Sequence, residues 1–178
     1  MDLAFIGPAD RADLLRGFEG LSSRSRYLRF FSRMRMLPTF IVDGLVNTDG
    51  TDHVAIGARL IDESGHVDPT VVGVARFFRA ESGATVAEPS VAVVDTLQGR
   101  GLGRLLLRRL TREARAQGIT HFRAHALADN ARIRRILRAS NGTIVEHDGP
   151  VLVYDVDIRR RGSRPGRLRR MLGAMVGH

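Results

Sequence analysis

The chain has 178 residues, 43% of them apolar, with no cysteine and no lysine, which points to one globular domain without disulfides, a thiol nucleophile or a cysteine-held metal. No apolar run approaches the ~20 residues of a membrane span, and Met1-Asp-Leu-Ala-Phe5 lacks the basic start and long apolar core of a signal peptide, so a cytoplasmic location is the expectation. The formal charge of +9 suggests a nucleic-acid partner until it is located: residues 159–178 hold seven arginines and no acid, and without them 21 basic residues face 19 acidic ones, so the basicity belongs to a tail.

Residues 2–6 predict a short strand, ended by Gly7-Pro8. Residues 9–18 predict a helix with Leu14, Leu15 and Phe18 on one face and Gly20 past its end. A second helix starts in Leu21-Ser-Ser-Arg-Ser-Arg-Tyr-Leu-Arg-Phe-Phe31, with serines at its cap and Tyr27, Leu28 and Phe31 on one face. Pro38 opens a third, short helical stretch over 39–46, and 47–51 is a loop. The period then changes. Residues 53–61 and 70–78, rich in Val, Ile and Phe, form a hairpin across Asp62-Glu-Ser-Gly-His-Val-Asp-Pro69. A strand at about 91–94 enters a glycine-rich turn, and a helix runs from Leu102 to Gln117. There follow a strand over 121–127 and a helix capped by Asp129 or Asn130, with Ile133, Ile136 and Leu137 at i, i+3 and i+4. A final hairpin, 143–146 and 151–158, turns at Asp148-Gly149. The main order, β-α-α-β-β-β-α-β-α-β-β, is mixed α/β with one strongly signalled β-α-β crossover in the middle.

That crossover contains Val91-Ala-Val-Val-Asp-Thr-Leu-Gln-Gly-Arg-Gly-Leu-Gly-Arg104. Strand, glycine turn and helix together present bare backbone N–H groups at the positive end of a helix dipole, an anion site. Gly99, Gly101 and Gly103 let the main chain approach a ligand closely. A dinucleotide fingerprint, G-x-G-x-x-G, fails because its third glycine falls on Arg104, and a P-loop fails for want of lysine. What remains, Gln98-Gly99-Arg100-Gly101-Leu102-Gly103, resembles the Q/R-x-x-G-x-G/A motif of the GNAT acetyltransferase superfamily. The order of elements over residues 1–158 is similar to that family's as well. The resemblance implies the GNAT acyltransferase fold, a central twisted mixed sheet flanked by helices, and acetyl-coenzyme A as co-substrate with its pyrophosphate on this loop.

Acetyl transfer to an amine sets three tasks: removing a proton from an ammonium, whose ordinary pKa is ~10.4, placing a donor on the carbonyl oxygen, and letting the thiolate leave. By position in the family, backbone groups of Val91, Val93 and Val94 hold the pantetheine arm and polarise the carbonyl. Gln98, Gly99, Arg100, Gly101, Leu102, Gly103 and Arg104 form the phosphate loop, with Arg100 and Arg104 able to pair with phosphate oxygens. Asn130 either contacts the pantetheine, as family members often do there, or only caps its helix. The stretch Ala87-Glu88 through Gly103 resembles bacterial protein lysine acetyltransferases, in which a glutamate at the place of Glu88 is the general base. Leu21 to Phe31 is similar to a second signature of that group, L-S-x-x-S-x-Y-x-R-F-F. The chain departs from the pattern in Pro89, which removes a ladder donor next to the glutamate. The helix after Asn130 lacks the tyrosine that many GNAT enzymes use as general acid, so no acid is assigned, and Tyr154 reads as core or rim.

The histidines, His121 and His125 among them on one face of a strand, show no metal-ligand spacing, and no metal is expected. The acceptor reads as a protein lysine, with a small-molecule amine or a non-catalytic coenzyme-binding module as alternatives. Nothing argues strongly for nucleic acid or membrane. Residues 159–178 read as a solvated arginine tail able to meet an acidic partner, and the protein as a monomer or homodimer.

Overall fold

The computed structural model describes residues 1–159; the arginine-rich stretch expected to form the tail lies outside the described residues from position 160 onward. Seven strands form one open sheet: β1 (Asp2–Phe5), β2 (His53–Arg59), β3 (Gly73–Phe78), β4 (Val86–Val93), β5 (His121–Leu127), β6 (Thr143–Asp148) and β7 (Val151–Asp157). Their spatial order is β1-β2-β3-β4-β5-β7-β6. Every neighbouring pair is antiparallel except β4 and β5, which are joined by the crossover helix. The helices are α1 (Arg11–Glu19), α2 (Ser23–Phe30), α3 (Thr39–Val46), α4 (Leu102–Ala116) and α5 (Ala131–Ala139).

The two sheet faces bury two cores, because strand side chains alternate sides. One face, with Val54, Ile56, Ala75, Phe77, Phe122, Ala124 and Tyr154, packs against Leu102, Leu106 and Leu110 of α4 and Leu137 of α5. The other, with Ala55 and Val74, packs against Leu14 and Phe18 of α1 and Val42 and Val46 of α3. These helices cover the second face only over its first half. On the same side, β5 exposes Arg123 and His125, and β6 is exposed throughout.

Three sequence expectations shift. The strand expected at about 91–94 begins at Val86 and ends at Val93, with Pro89 inside it. Proline is tolerated there because Phe77↔Pro89 is a pair that makes no ladder bonds: Val94 N–H donates to Val72 O at 2.9 Å, and hydrogen-bonded pairs recur every second residue. The inward aromatic of α2 is Phe30, whose ring lies 5.9 Å from that of Phe18, whereas Phe31 is 42% exposed. The helix ends on Phe31 in the left-handed conformation, φ 55°, which turns that side chain away. The first hairpin is shorter than expected, with Ile61 retained only as an isolated bridge to Val67.

Candidate active site

β4 and β5 pair only at Val86↔His121 and Ala87↔Phe122, then diverge. The alternation that seats Pro89 against β3 also decides which groups face the gap. Pro89, Val91 and Val93 turn their backbone toward β5, while Glu88, Ser90 and Ala92 turn theirs toward β3. A residue other than proline at position 89 would offer the next N–H for the parallel ladder. Pro89 has none, so that ladder bond is missing at the point where the strands part into a cleft. Val94 does not join Val91 and Val93 on this edge. Its N–H is bound to Val72 O and its carbonyl to Leu97 N–H at 3.0 Å.

The glycine loop closes the mouth of the cleft. Gly99 and Gly101 sit at φ 82° and 88°, the left-handed region that costs a side chain about 1–2 kcal/mol. Gly101 is the N-cap of α4, and the first main-chain bond back to it comes from Leu105 N–H at 3.0 Å. The amides of Leu102, Gly103 and Arg104 thus stand in the first helical turn, where no intrahelical acceptor exists. Arg100 and Arg104 are exposed beside them. An anionic ligand fits this cradle on charge, on free donors and on backbone shape.

Gln98 has a different place from the one its motif suggests. Its Nε2 donates to Val93 O at 3.0 Å and to Ser25 Oγ at 3.1 Å, and its Oε1 accepts from Arg132 Nη1 at 2.6 Å. It ties the end of β4, α2 and α5 under the loop. Asp95 makes a second tie, its carboxylate accepting from Ser22 N–H at 2.8 Å, Ser22 Oγ at 2.8 Å and Ser25 Oγ at 3.0 Å. Burial works against ionisation of Asp95, but the bonds from Ser22 and Ser25 outweigh it and hold the carboxyl below its usual range. Ser22 also caps α2, accepting from Ser25 N–H at 3.2 Å. The two serines of the Leu21-Ser-x-x-Ser25 signature are thus a clamp between α2 and the segment that leads into the glycine loop. Arg132, which the sequence reading left unassigned, belongs to the same network. Its signal was its place in the first turn after β5, because the carboxyl ends of adjacent parallel strands bring their loops together. Asn130 Oδ1 accepts from Ile133 N–H at 3.2 Å, so its capping role is realised.

Glu88 lies on the wall of the cleft, on the sheet face left bare by the helices, with its side chain 59% exposed. His125 Nδ1 is 3.4 Å from its Oε1, a neighbour that the sequence reading had only placed on a strand face. Phe78 pairs directly across from Glu88 and is 55% exposed. Arg29 of α2 adds a charge from the other side: burial pushes its guanidinium below the ordinary value, and the negative charge of Glu88 opposes that shift. The arrangement offers a solvent-reachable carboxylate next to a histidine and an apolar ring, beside a cleft toward which the N–H groups of Val91 and Val93 face. Tyr154 is fully buried, with no hydrogen-bond partner for its hydroxyl among the described residues. Among the described residues no group of three His, Cys, Asp or Glu could hold a metal ion, and no helix is long and apolar enough to cross a membrane.

Residues 43–142 match the model of the acetyltransferase (GNAT) family, a span that runs from α3 through the cleft to the end of α5. The chain is 32% identical over 151 residues to acetyltransferase Pat of Mycolicibacterium smegmatis, covering 85% of this chain and 44% of that protein. It therefore spans less than half the length of this curated relative. Among solved structures, the GNAT domain of S. lividans PAT superposes with a TM-score of 0.78 at 25% identity, covering 87% of this chain and 89% of that one. A cAMP-binding acyltransferase from Mycobacterium smegmatis superposes with a TM-score of 0.57 at 28% identity, over 88% of this chain and 43% of that one.

Proposed function

This chain belongs to the GNAT acetyltransferase family, and from that premise we propose that it is an N-acetyltransferase acting by direct attack of a primary amine, with a protein lysine as acceptor. Acetyl-coenzyme A, when bound, supplies the thioester acyl group. The loop amides from Gly99 to Arg104, with the Arg100 and Arg104 guanidiniums, would hold its phosphates. The cleft-facing backbone of Val91 and the N–H of Val93, whose carbonyl Gln98 already binds, would receive the pantetheine arm, and these N–H groups could donate to a carbonyl oxygen that gains charge. Val94 has no free backbone group for this, and Gln98 serves by holding the loop. Asn130 has its Nδ2 left for the arm.

Glu88 would take the proton from the acceptor ammonium, directly or through water, and its exposure lets a side chain from outside reach it. His125, with Nδ1 3.4 Å from Oε1, would position the carboxylate. The observation that carries this reading is the opening of β4 from β5 after Ala87, with Glu88 at its edge and the glycine loop at its mouth. The lysine acceptor is supported by two stretches, Leu21 to Phe31 and Ala87 to Gly103, that resemble bacterial protein lysine acetyltransferases.

Thermal shift with acetyl-coenzyme A and free-thiol release with a panel of lysine peptides and small amines test the proposal. A hundredfold excess of ligand over Kd is expected to raise Tm by about 5–10 °C. Thiol release that needs a lysine peptide supports the acceptor, and the absence of any shift removes the coenzyme. The chain has no lysine of its own, so acetyl label on the enzyme itself can lie on an amine only at the N-terminus.

A further inference from the structure

A groove of about 800 Å³ lies between α2, the connector that follows it and the loop beyond β5. Arg24 and Tyr27 of α2, Arg33, Met34 and Arg35 of the connector, and Asp129 beyond β5 line it. Two of its walls belong to elements that also serve the cleft: α2 carries Arg29, which feels the charge of Glu88, and β5, just before Asp129, carries His125. Arg26 is already committed, stacked 4.3 Å over Phe18 and donating to Arg35 O at 2.8 Å and Glu19 O at 3.3 Å. Arg33 and Arg35 are exposed. Asp129 is the one acid among the lining residues, and its Oδ2 is 3.8 Å from Arg24 Nη2, an exposed and loosely held pair that offsets one arginine and leaves the others in excess.

A concave surface with such an excess of one charge concentrates ligands of the other sign. The same connector exposes Phe31 and Met36, the latter 76% accessible, so the basic groove has an apolar shoulder of the kind that macromolecular partners cover. A bare cationic amine gains nothing from arginines. A polypeptide that carries its lysine among acids gains from both ends, the lysine at Glu88 and the carboxylates at Arg24, Arg33 and Arg35. The same charges repel a lysine set among other lysines and arginines.

We propose that this groove receives an acidic segment of the acceptor protein, next to the lysine that Glu88 serves. The proposal rests on the acetyltransferase reading above and narrows its substrate class. Arg100 and Arg104 stand at the glycine loop itself, whereas Arg33 and Arg35 lie on the connector after α2, among the groove's lining.

Two peptides of equal length with a single lysine test it, one flanked by Asp and Glu and the other by Asn and Gln at the same positions. At low salt kcat/KM for the acidic peptide is expected to be about tenfold higher, a preference that shrinks as salt screens it. The double variant Arg33→Glu with Arg35→Glu, its fold checked by Tm, is expected to bring that ratio to about one or below, while acetyl-coenzyme A still raises Tm. Equal kcat/KM for the two peptides with the unaltered protein overturns the proposal. So does loss of the acetyl-coenzyme A shift in the double variant, which assigns these arginines to the coenzyme phosphates. Absence of thiol release with every peptide, beside an intact coenzyme shift, instead removes the protein-acceptor reading on which the proposal stands.

Discussion

His125 Nδ1 stands 3.4 Å from Glu88 Oε1, across two strands whose pairing ended at Ala87 and Phe122. The pair bridges the cleft where no backbone bond does. If Glu88 is the base and His125 positions it, the two act as a unit and their deletions do not add. Glu88→Gln is expected to lower kcat by about 10²–10⁴-fold with acetyl-coenzyme A binding retained. The double variant with His125→Gln should fall within about twofold of Glu88→Gln alone. Multiplicative losses in single-turnover thiol release would separate the two residues.

Pro89 gives a prediction in the opposite direction from the usual one for a mutated active-site neighbour. Pro89→Ala restores an N–H aimed at β5 and permits another ladder bond, so Tm should hold or rise. The coenzyme must then break that bond to enter. KM for acetyl-coenzyme A is expected to increase by a factor of about 2–10, the worth of one net hydrogen bond. An unchanged KM would mean that the cleft is held open by side chains instead.

Asp95 and the serines of α2 predict a coupling between acceptor and donor sites. Asp95→Ala removes the acceptor of three hydrogen bonds from Ser22 and Ser25. The site is exposed, so the stability cost should be modest, roughly 1 kcal/mol or 2–4 °C in Tm. The larger effect is expected on KM for the peptide, because α2 carries Arg29 toward Glu88 and Arg24 toward the groove. Peptide KM unaffected beside a lowered Tm would confine Asp95 to stability.

His53 sets a stability dependence at mildly acid pH. It is buried in β2, with Nδ1 3.1 Å from Asn47 O and Nε2 3.4 Å from Arg76 Nη1. A carbonyl only accepts, so Nδ1 carries the proton and Nε2 faces the guanidinium as an acceptor. Burial first, and the Arg76 charge second, push His53 below its ordinary value, against smaller opposing effects of Asn47 and Asp49. Burial and the charge of Arg29 bring Arg76 itself down to about 9. The unfolded chain therefore takes up the His53 proton first as pH falls. The contribution is fully present above the unfolded value of 6.5 and is lost as pH drops from there toward the lower folded value. Tm measured between about pH 7.5 and 5.5 should fall less steeply for His53→Gln than for the unaltered protein. Equal slopes would mean that His53 is not the group responsible.

The elements and the donor loop were legible in the sequence because their signals are local. Asn130 could be named as a cap, and residues 39–46 and 121–127 as helix and strand, from capping chemistry and period alone. The glycines mark a loop whose main chain a ligand can approach closely, and the structure adds left-handed backbone at Gly99 and Gly101. Even the Ser22 and Ser25 signature was visible, though not what the serines hold. The apolar run marks strand β4 only from about Val91, whereas the register against β3 carries it back to Val86 and places Pro89 at a pair that needs no ladder bond.

What the sequence by itself determined is therefore the family and the anion cradle, since helix ends, turns and glycine conformations are decided within a few residues. Tertiary structure alone decided the rest. Register brought His125 to Glu88, Gln98 to Arg132 and Asp95 to the start of α2, contacts between residues 34 to 73 positions apart. Such contacts depend on where a strand stops pairing and which face each side chain takes, and a shift of one residue would invert them. Pro89 lies where the two kinds of information meet: its missing N–H is a property of the residue, and its effect on the cleft is a property of the sheet.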